Sequence, residues 1–285
     1  MRLPPAITRD FAETSDGQIH FRRLSAPHAG AWPLLLLHQV SSSSRMFDAL
    51  MPHLGEAKLQ PVAMDFPGFG ASDPSMAGYG VPHLAEMTFR FLDAIGWRQP
   101  VLIAGHHTGA KVAVAMANLS PVRVSGLILA GIPYYADAET KRRRRLSKKV
   151  APIVPAPDGA HLLAEWRRIR ELSPTVSLAT THRELVDTLL ADCYHQVYAE
   201  TFPYDVGPLL PLLVCPTQVI AARADVLEVE SQRQAASLIP TGRFTVVEDA
   251  GVFIMDEAPA RVAAIIAGFA VSLQSDQPGS ARLRD

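Results

Sequence analysis

Val101-Leu102-Ile103-Ala104-Gly105-His106-His107-Thr108-Gly109-Ala110 carries three structural signals in succession. Val101 to Ala104 is a short apolar run of the kind that forms a strand covered on both faces. Gly105 and Gly109 bracket a turn, and Ala110 to Leu119 has the composition of a helix. A strand that passes through a tight turn straight into a helix is half of a parallel β-α-β unit.

The flanking segments repeat that alternation. On the N-terminal side, Gln18 to Arg23 follows an Asp16-Gly17 turn and reads as an early hairpin strand, and Pro33 to Leu37 reads as the first fully buried strand. Met46 to Leu54 is predicted helical and Val62 to Met64 a strand, while Asp65-Phe66-Pro67-Gly68-Phe69-Gly70 is too rich in Gly and Pro to continue either element. His83 to Ile95 has helical spacing and stops at Gly96. On the C-terminal side, Val124 to Ala130 is another strand. From Ile132 to Pro208 the strand pattern gives way to helical segments with scattered prolines, before strands resume at Thr217 to Ala221 and Phe244 to Val247. Helices are predicted at Glu230 to Leu238 and Pro259 to Leu273. The expected organisation is a core α/β domain over 1–131 and 209–273, interrupted by a helical lid over 132–208 and followed by a flexible tail over 274–285.

A chain of 285 residues with 48% hydrophobic side chains can bury one large core. Its 27 basic residues nearly balance its 28 acidic ones, so no overall field draws it to nucleic acid or to an acidic membrane. The expected partner is a small-molecule substrate or ligand, not nucleic acid or a membrane, with a homodimer left open. Cys193 and Cys215 show no metal-ligand spacing and read as buried thiols of a reducing compartment. Met1 to Asp10 lacks the charged-then-apolar pattern of a secretion signal, and no apolar run reaches the roughly 18 residues of a bilayer span, so a cytoplasmic location is expected. Neither a cofactor nor a metal is expected. Lys141 to Lys149 holds seven basic residues in nine, which reads as a solvated helix face or as a patch guiding an anionic substrate.

Gly105-His106-His107-Thr108-Gly109 resembles the nucleophile elbow of the α/β-hydrolase fold superfamily, G-x-Nu-x-G, whose central residue sits on a strained strand-to-helix turn. His38 after the first buried strand is similar to the family's His-Gly oxyanion loop, with Gln39 in place of the glycine. Asp65 to Asp73 resembles the loop that such proteins carry one strand later. Asp225 stands where the triad acid usually lies, and Ala250-Gly251-Val252-Phe253 looks like the family's terminal A-G-H-F segment. The resemblance spans about residues 15 to 273. It implies an α/β-hydrolase fold: a mostly parallel sheet flanked by helices, with an inserted helical lid.

The family's chemistry needs a nucleophile at the elbow, a histidine to take its proton and a carboxylate to orient that histidine. Here the elbow residue is His107 and the histidine position is Val252, and no histidine follows His195 anywhere in the chain. An imidazole at the elbow tip is long enough to approach Asp225. The resulting dyad would leave one ring nitrogen free as a general base. The alternative is that His107 is a polar filler in a binding pocket. The resemblance also implies an oxyanion hole made by the backbone N–H groups of Thr108 and Val40. His38, Gln39, Tyr134, His161, Trp166 and Val252 are expected to contact substrate. His106, one residue before the elbow tip, is expected to diverge from His107 and serve structure. Three readings of function remain open: a general-base enzyme acting on a small, largely apolar carbonyl or ester substrate, by hydrolysis or lyase-like chemistry; a ligand-binding protein that has lost catalysis; and a serine hydrolase using Ser41, Ser43 or Ser72.

Overall fold

The structure is a computed structural model that describes residues 6–26, 28–137 and 150–275. The basic run at 141–149 and most of the predicted tail lie outside the described residues. Eight strands form one sheet in the order β1-β2-β4-β3-β5-β6-β7-β8: β1 (Ile7–Thr14), β2 (Gly17–Leu24), β3 (Trp32–Leu37), β4 (Leu59–Met64), β5 (Val101–His106), β6 (Val124–Ala130), β7 (Thr217–Ala224) and β8 (Gly242–Gly251). The pairings from β4 through β8 are parallel, and the β1–β2 and β2–β4 pairings are antiparallel.

The buried strands read as continuous apolar runs because helices cover both faces of the sheet, and alternate residues serve alternate layers. Leu35, Leu37, Val62, Met64, Val101 and Ile103 face one core. It is roofed by α2 (Val81–Ala94), α3 (Thr108–Leu119) and α7 (Val229–Leu238). Leu34, Leu36, Ala63, Leu102 and Ala104 face the other. There they meet α1 (Met51–Glu56), α8 (Ile254–Glu257) and α9 (Pro259–Ser275).

Between β6 and β7 the chain forms α4 (Ala160–Leu172), α5 (Leu178–Leu190) and α6 (Tyr194–Thr201). Polar contacts dock this segment on the core. The hydroxyl of Ser42 donates to Glu184 Oε1 at 2.9 Å and that of Ser43 to Asp187 Oδ2 at 2.8 Å, while the Ser41 and Thr188 hydroxyls lie 2.8 Å apart. Arg183 spans Glu184 and Asp256, with contacts of 2.5 to 2.8 Å. The Lys111 Nζ on α3 donates to the carbonyl oxygens of Thr201, Phe202 and Tyr204. The run Ser41 to Ser43 is therefore a docking surface for α5. Both cysteines are buried and unbonded to each other. No helix among the described residues is long and apolar enough to cross a membrane.

Helix α3 leaves β5 at a spacing that only glycines permit. A Cβ on Gly105 would lie 2.3 Å from the Gly109 carbonyl group, and one on Gly109 would lie 2.1 Å from Leu37 O. These obstacles are backbone atoms, which cannot rotate aside. Gly105→Ala is thus expected to lower the unfolding free energy by about 3 kcal/mol or more. Gly268→Ala, on an exposed turn of α9 with open space around it, is expected to raise it by roughly 0.5–1 kcal/mol. Urea unfolding of the two variants beside the parent chain measures both.

Candidate active site

The site lies at the C-terminal ends of β5, β6 and β7, where side chains leaving parallel strands converge. At the end of β5 the backbone of His107 turns to φ 46° and ψ −104°, a sterically costly conformation for a residue with a Cβ. Two hydrogen bonds from neighbouring strand ends steady the turn: His107 N donates to Ala130 O at 3.0 Å, and Gly131 N to Ile220 O at 3.0 Å. The turn projects the imidazole across the strand ends to Asp225, just beyond β7. His107 Nε2 and Asp225 Oδ2 are 2.9 Å apart. The second carboxylate oxygen, Oδ1, accepts from Leu227 N at 3.1 Å.

Burial would raise the pKa of Asp225, whose side chain is 1% exposed, but the adjacent His107 and His106 and the Leu227 N–H outweigh it and hold the carboxyl below its ordinary value. An ionised carboxylate can only accept, so the proton in this contact belongs to His107 Nε2, and in the neutral ring the lone pair is then on Nδ1. Gly131 makes room for the ring. A Cβ there would fall 2.3 Å from His107 Cδ2 and 2.6 Å from Nε2. That edge of the imidazole therefore faces Gly131, and Nδ1 lies on the opposite edge.

His106 does not diverge from its neighbour. The positive φ at His107 breaks the alternation of an extended strand, and the two rings lie with centroids 4.5 Å apart. His106 is fully buried, and both of its ring nitrogens lack a hydrogen-bond partner among the described residues. Burial, reinforced by His107, pushes its pKa well below the usual imidazole value.

His107 opens onto a cavity of about 290 Å³. Of the sequence-predicted site residues, Gln39, Val40 and Val252 line it, and Thr108 lines a smaller adjoining cavity of about 60 Å³ that also reaches His107. Thr108 is the first residue of α3, where backbone N–H groups have no intrahelical acceptor and point toward the turn.

Of the other residues expected to contact substrate, His38, Tyr134, His161 and Trp166 line neither of these two cavities. His38 is fully buried, with Nδ1 2.8 Å from Gln39 O and Nε2 accepting from Phe66 N at 2.9 Å, so both ring nitrogens serve the backbone. Tyr134 packs against the core, and its carbonyl accepts from Ser231. His161 accepts from Ala156 N at 3.0 Å through Nδ1, an attachment local to the start of α4. Trp166 is half-buried, and it is the face of α4 carrying Arg168, Ile169 and Leu172 that meets the cavity.

Glu184, Tyr194 and Tyr198 also line the larger cavity, as do Ser41, Val150, Val226 and Phe253. The four-residue spacing of the two tyrosines puts them on one face of α6, a signal present in the sequence. Val252 packs with Phe253, Ile169 and Val176 in a small apolar cluster that joins the inserted segment to the core. At this position the resemblance expects a histidine. The hydroxyls of Ser41, Ser43 and Ser72 are engaged by Thr188, Asp187 and the Asp65 carbonyl, Ser72 Oγ also accepts from the His20 backbone N–H at 2.9 Å, and among the described residues none of the three is hydrogen-bonded to an imidazole ring.

A sequence model of the α/β hydrolase fold family matches residues 33–259. The chain belongs to the α/β-hydrolase fold family. Among similar members, a monoacylglycerol lipase of Xenopus laevis is 23% identical over 261 residues, 85% of this chain and 76% of that one. A membrane phospholipase A, described as a bacterial virulence factor, superposes with a TM-score of 0.79 at 22% identity, over 94% of this chain and 87% of the other. A thermophilic esterase from Thermogutta terrifontis superposes with a TM-score of 0.72 at 22% identity, covering 93% and 99%. At these identities the structural matches establish the shared α/β-hydrolase architecture.

Two outcomes follow from this geometry. In Gly131→Ala the new methyl group is expected to expel the imidazole, so that a crystal structure shows Nε2 beyond hydrogen-bond reach of Asp225, with a stability loss of about 1–3 kcal/mol. His38 is buried, which lowers its pKa despite the nearby Asp65 carboxylate. The unfolded chain therefore binds a proton below pH 6.5 that the folded chain refuses. Stability is expected to fall as pH drops below about 6.5, by up to about 1.4 kcal/mol per unit for each such imidazole. His38→Asn should flatten that slope even where it lowers the absolute value, which unfolding curves between pH 7.5 and 5 will measure.

Proposed function

We propose that this chain is an enzyme in which His107, oriented by Asp225, acts as a general base on a small, largely apolar carbonyl or ester substrate. The observation that carries this reading is the 2.9 Å contact between an ionised, buried carboxylate and an imidazole that opens onto a cavity walled by apolar side chains together with Gln39, Arg168 and Glu184. Asp225 fixes the Nε2–H tautomer and offsets the charge that forms when Nδ1 takes a proton. In the hydrolytic form, Nδ1 removes a proton from a water molecule as its oxygen attacks the carbonyl carbon. The N–H groups of Thr108 and Val40 are the donors for the oxyanion. Collapse of the tetrahedral intermediate breaks the bond to the leaving group, which receives the proton from Nδ1. In the lyase-like form, the same nitrogen removes a proton adjacent to the carbonyl, the same donors hold the enolate oxygen, and the enolate re-forms the carbonyl as it expels a β-substituent, which leaves with the proton from Nδ1.

The lipase, esterase and phospholipase named among the relatives support an ester or carbonyl substrate. The inserted helices act as the lid, since α4 and α6 supply Arg168, Ile169, Leu172, Tyr194 and Tyr198 to the cavity wall. No serine takes part. The apolar packing of Val252 favours a second reading, a binding protein in which the cavity holds a ligand unchanged.

A panel of short-chain esters and activated ketones separates the two. Turnover is expected in the parent chain, with a loss of about 10²- to 10⁴-fold in His107→Ala and Asp225→Asn. A fluorophosphonate probe is expected to leave the chain unlabelled. Thermal stabilisation by a panel member without any product, unchanged in His107→Ala, would instead establish the binding protein.

A further inference from the structure

The convergence of two imidazoles and a carboxylate at the ends of β5 and β7 has a use that a base alone does not require. His106, His107 and Asp225 each present a ligand atom, and all three atoms lie within 4.8 Å of one another. Two ligands of a tetrahedral zinc ion with bonds of about 2.0–2.1 Å stand roughly 3.4 Å apart. The 2.9 Å between His107 Nε2 and Asp225 Oδ2 is already close to that, and the His106 nitrogen lies within 4.8 Å of both.

His106 supplies the independent observation. It is fully buried, both ring nitrogens are without a hydrogen-bond partner among the described residues, and its ring stacks obliquely against His107 beside Asp225. A buried polar group left unpaired costs about 1–3 kcal/mol, and a metal–nitrogen bond is one way to satisfy it. Two imidazoles and a carboxylate form a donor set suited to a borderline divalent transition ion. His107, which borders both cavities, is the one ligand of the three that they reach.

We infer that His106, His107 and Asp225 form a binding site for a divalent transition ion of the Zn²⁺ class, and that the bound ion silences the base. Binding at His107 Nε2 displaces the proton held against Asp225. A neutral ring ligated at Nε2 carries its proton on Nδ1, so the lone pair that accepts substrate or water protons is gone. Silencing rests on the base reading given above, whereas ion binding does not.

Titration calorimetry of the chelator-treated full chain with zinc chloride tests the site without any substrate. One Zn²⁺ per chain is expected, Co²⁺ is expected to give the intense visible bands of a low-coordinate ion, and His106→Gln is expected to weaken binding by at least about tenfold. Should His106→Gln fail to fold, Asp225→Asn serves as the ligand-loss variant. A parent chain that takes up no ion, or a folded His106→Gln that binds as the parent does, overturns the site. With a turned-over ester in hand, Zn²⁺ is expected to suppress the rate and chelator to restore it. A rate that Zn²⁺ leaves unchanged or increases overturns the silencing. A chelated chain without turnover that still binds one Zn²⁺ through His106 sustains the site and removes the base reading alone.

Discussion

Three backbone segments meet at the start of α3 with no space for a side-chain carbon between them. The first turn of the helix rests on the end of β3, and the end of β5 rests on that turn; a single methyl group on either glycine would overlap carbonyl atoms. This close approach is what aims residue 107. Because the helix begins directly above the strand ends, the residue between strand and helix has nowhere to project except across them, and it does so at a positive φ that the surrounding hydrogen bonds maintain. The cavity, the adjacent N–H groups and the approach of Asp225 all follow from that placement.

Replacing the usual short nucleophile by an imidazole changes what the turn delivers. A hydroxyl needs a separate histidine to bridge the gap to the acid, while the imidazole of His107 bridges it alone, helped by the absence of a side chain at Gly131. The position freed by this shortcut has been put to another purpose. Val252 joins Phe253, Ile169 of α4 and Val176 of the following loop in an apolar contact, so the loop where the family pattern places a histidine here secures the inserted segment. The departure at the elbow and the packing at position 252 both lie where the family pattern expects triad residues.

Most of the sheet was legible because strands covered on both faces are unmistakable apolar runs; β3, β5 and β6 fall within a residue or two of their expected limits. Strand β1 was missed for the opposite reason. Ile7–Thr14 is an edge strand with one fully buried residue, Ala12, and its polar composition resembles a loop. At the site, glycine spacing marked the turn and chain order marked Asp225. Gln39, Val40 and Val252 on the cavity wall were readable from the motifs, but the contribution of α4 was not, since His161 and Trp166 were placed by proximity along the chain and the rotation of α4 about its axis decides which face points inward. Nor could the sequence tell that His106 and His107 lie together, because the alternation rule fails at the residue whose backbone is strained.

The serine run offers a mechanical consequence. Ser41, Ser42 and Ser43 follow directly on Val40, whose backbone borders the cavity floor, and their hydroxyls are tied to Thr188, Glu184 and Asp187 on the roof. Hydrogen bonds to buried charged groups contribute about 1.5–3 kcal/mol each. Floor and roof are thereby stitched along one seam. Any hinge that widens the chamber by lifting α5 must either unpick that seam or carry the Val40 peptide with it, so admission of a guest and alignment of the floor become a single motion.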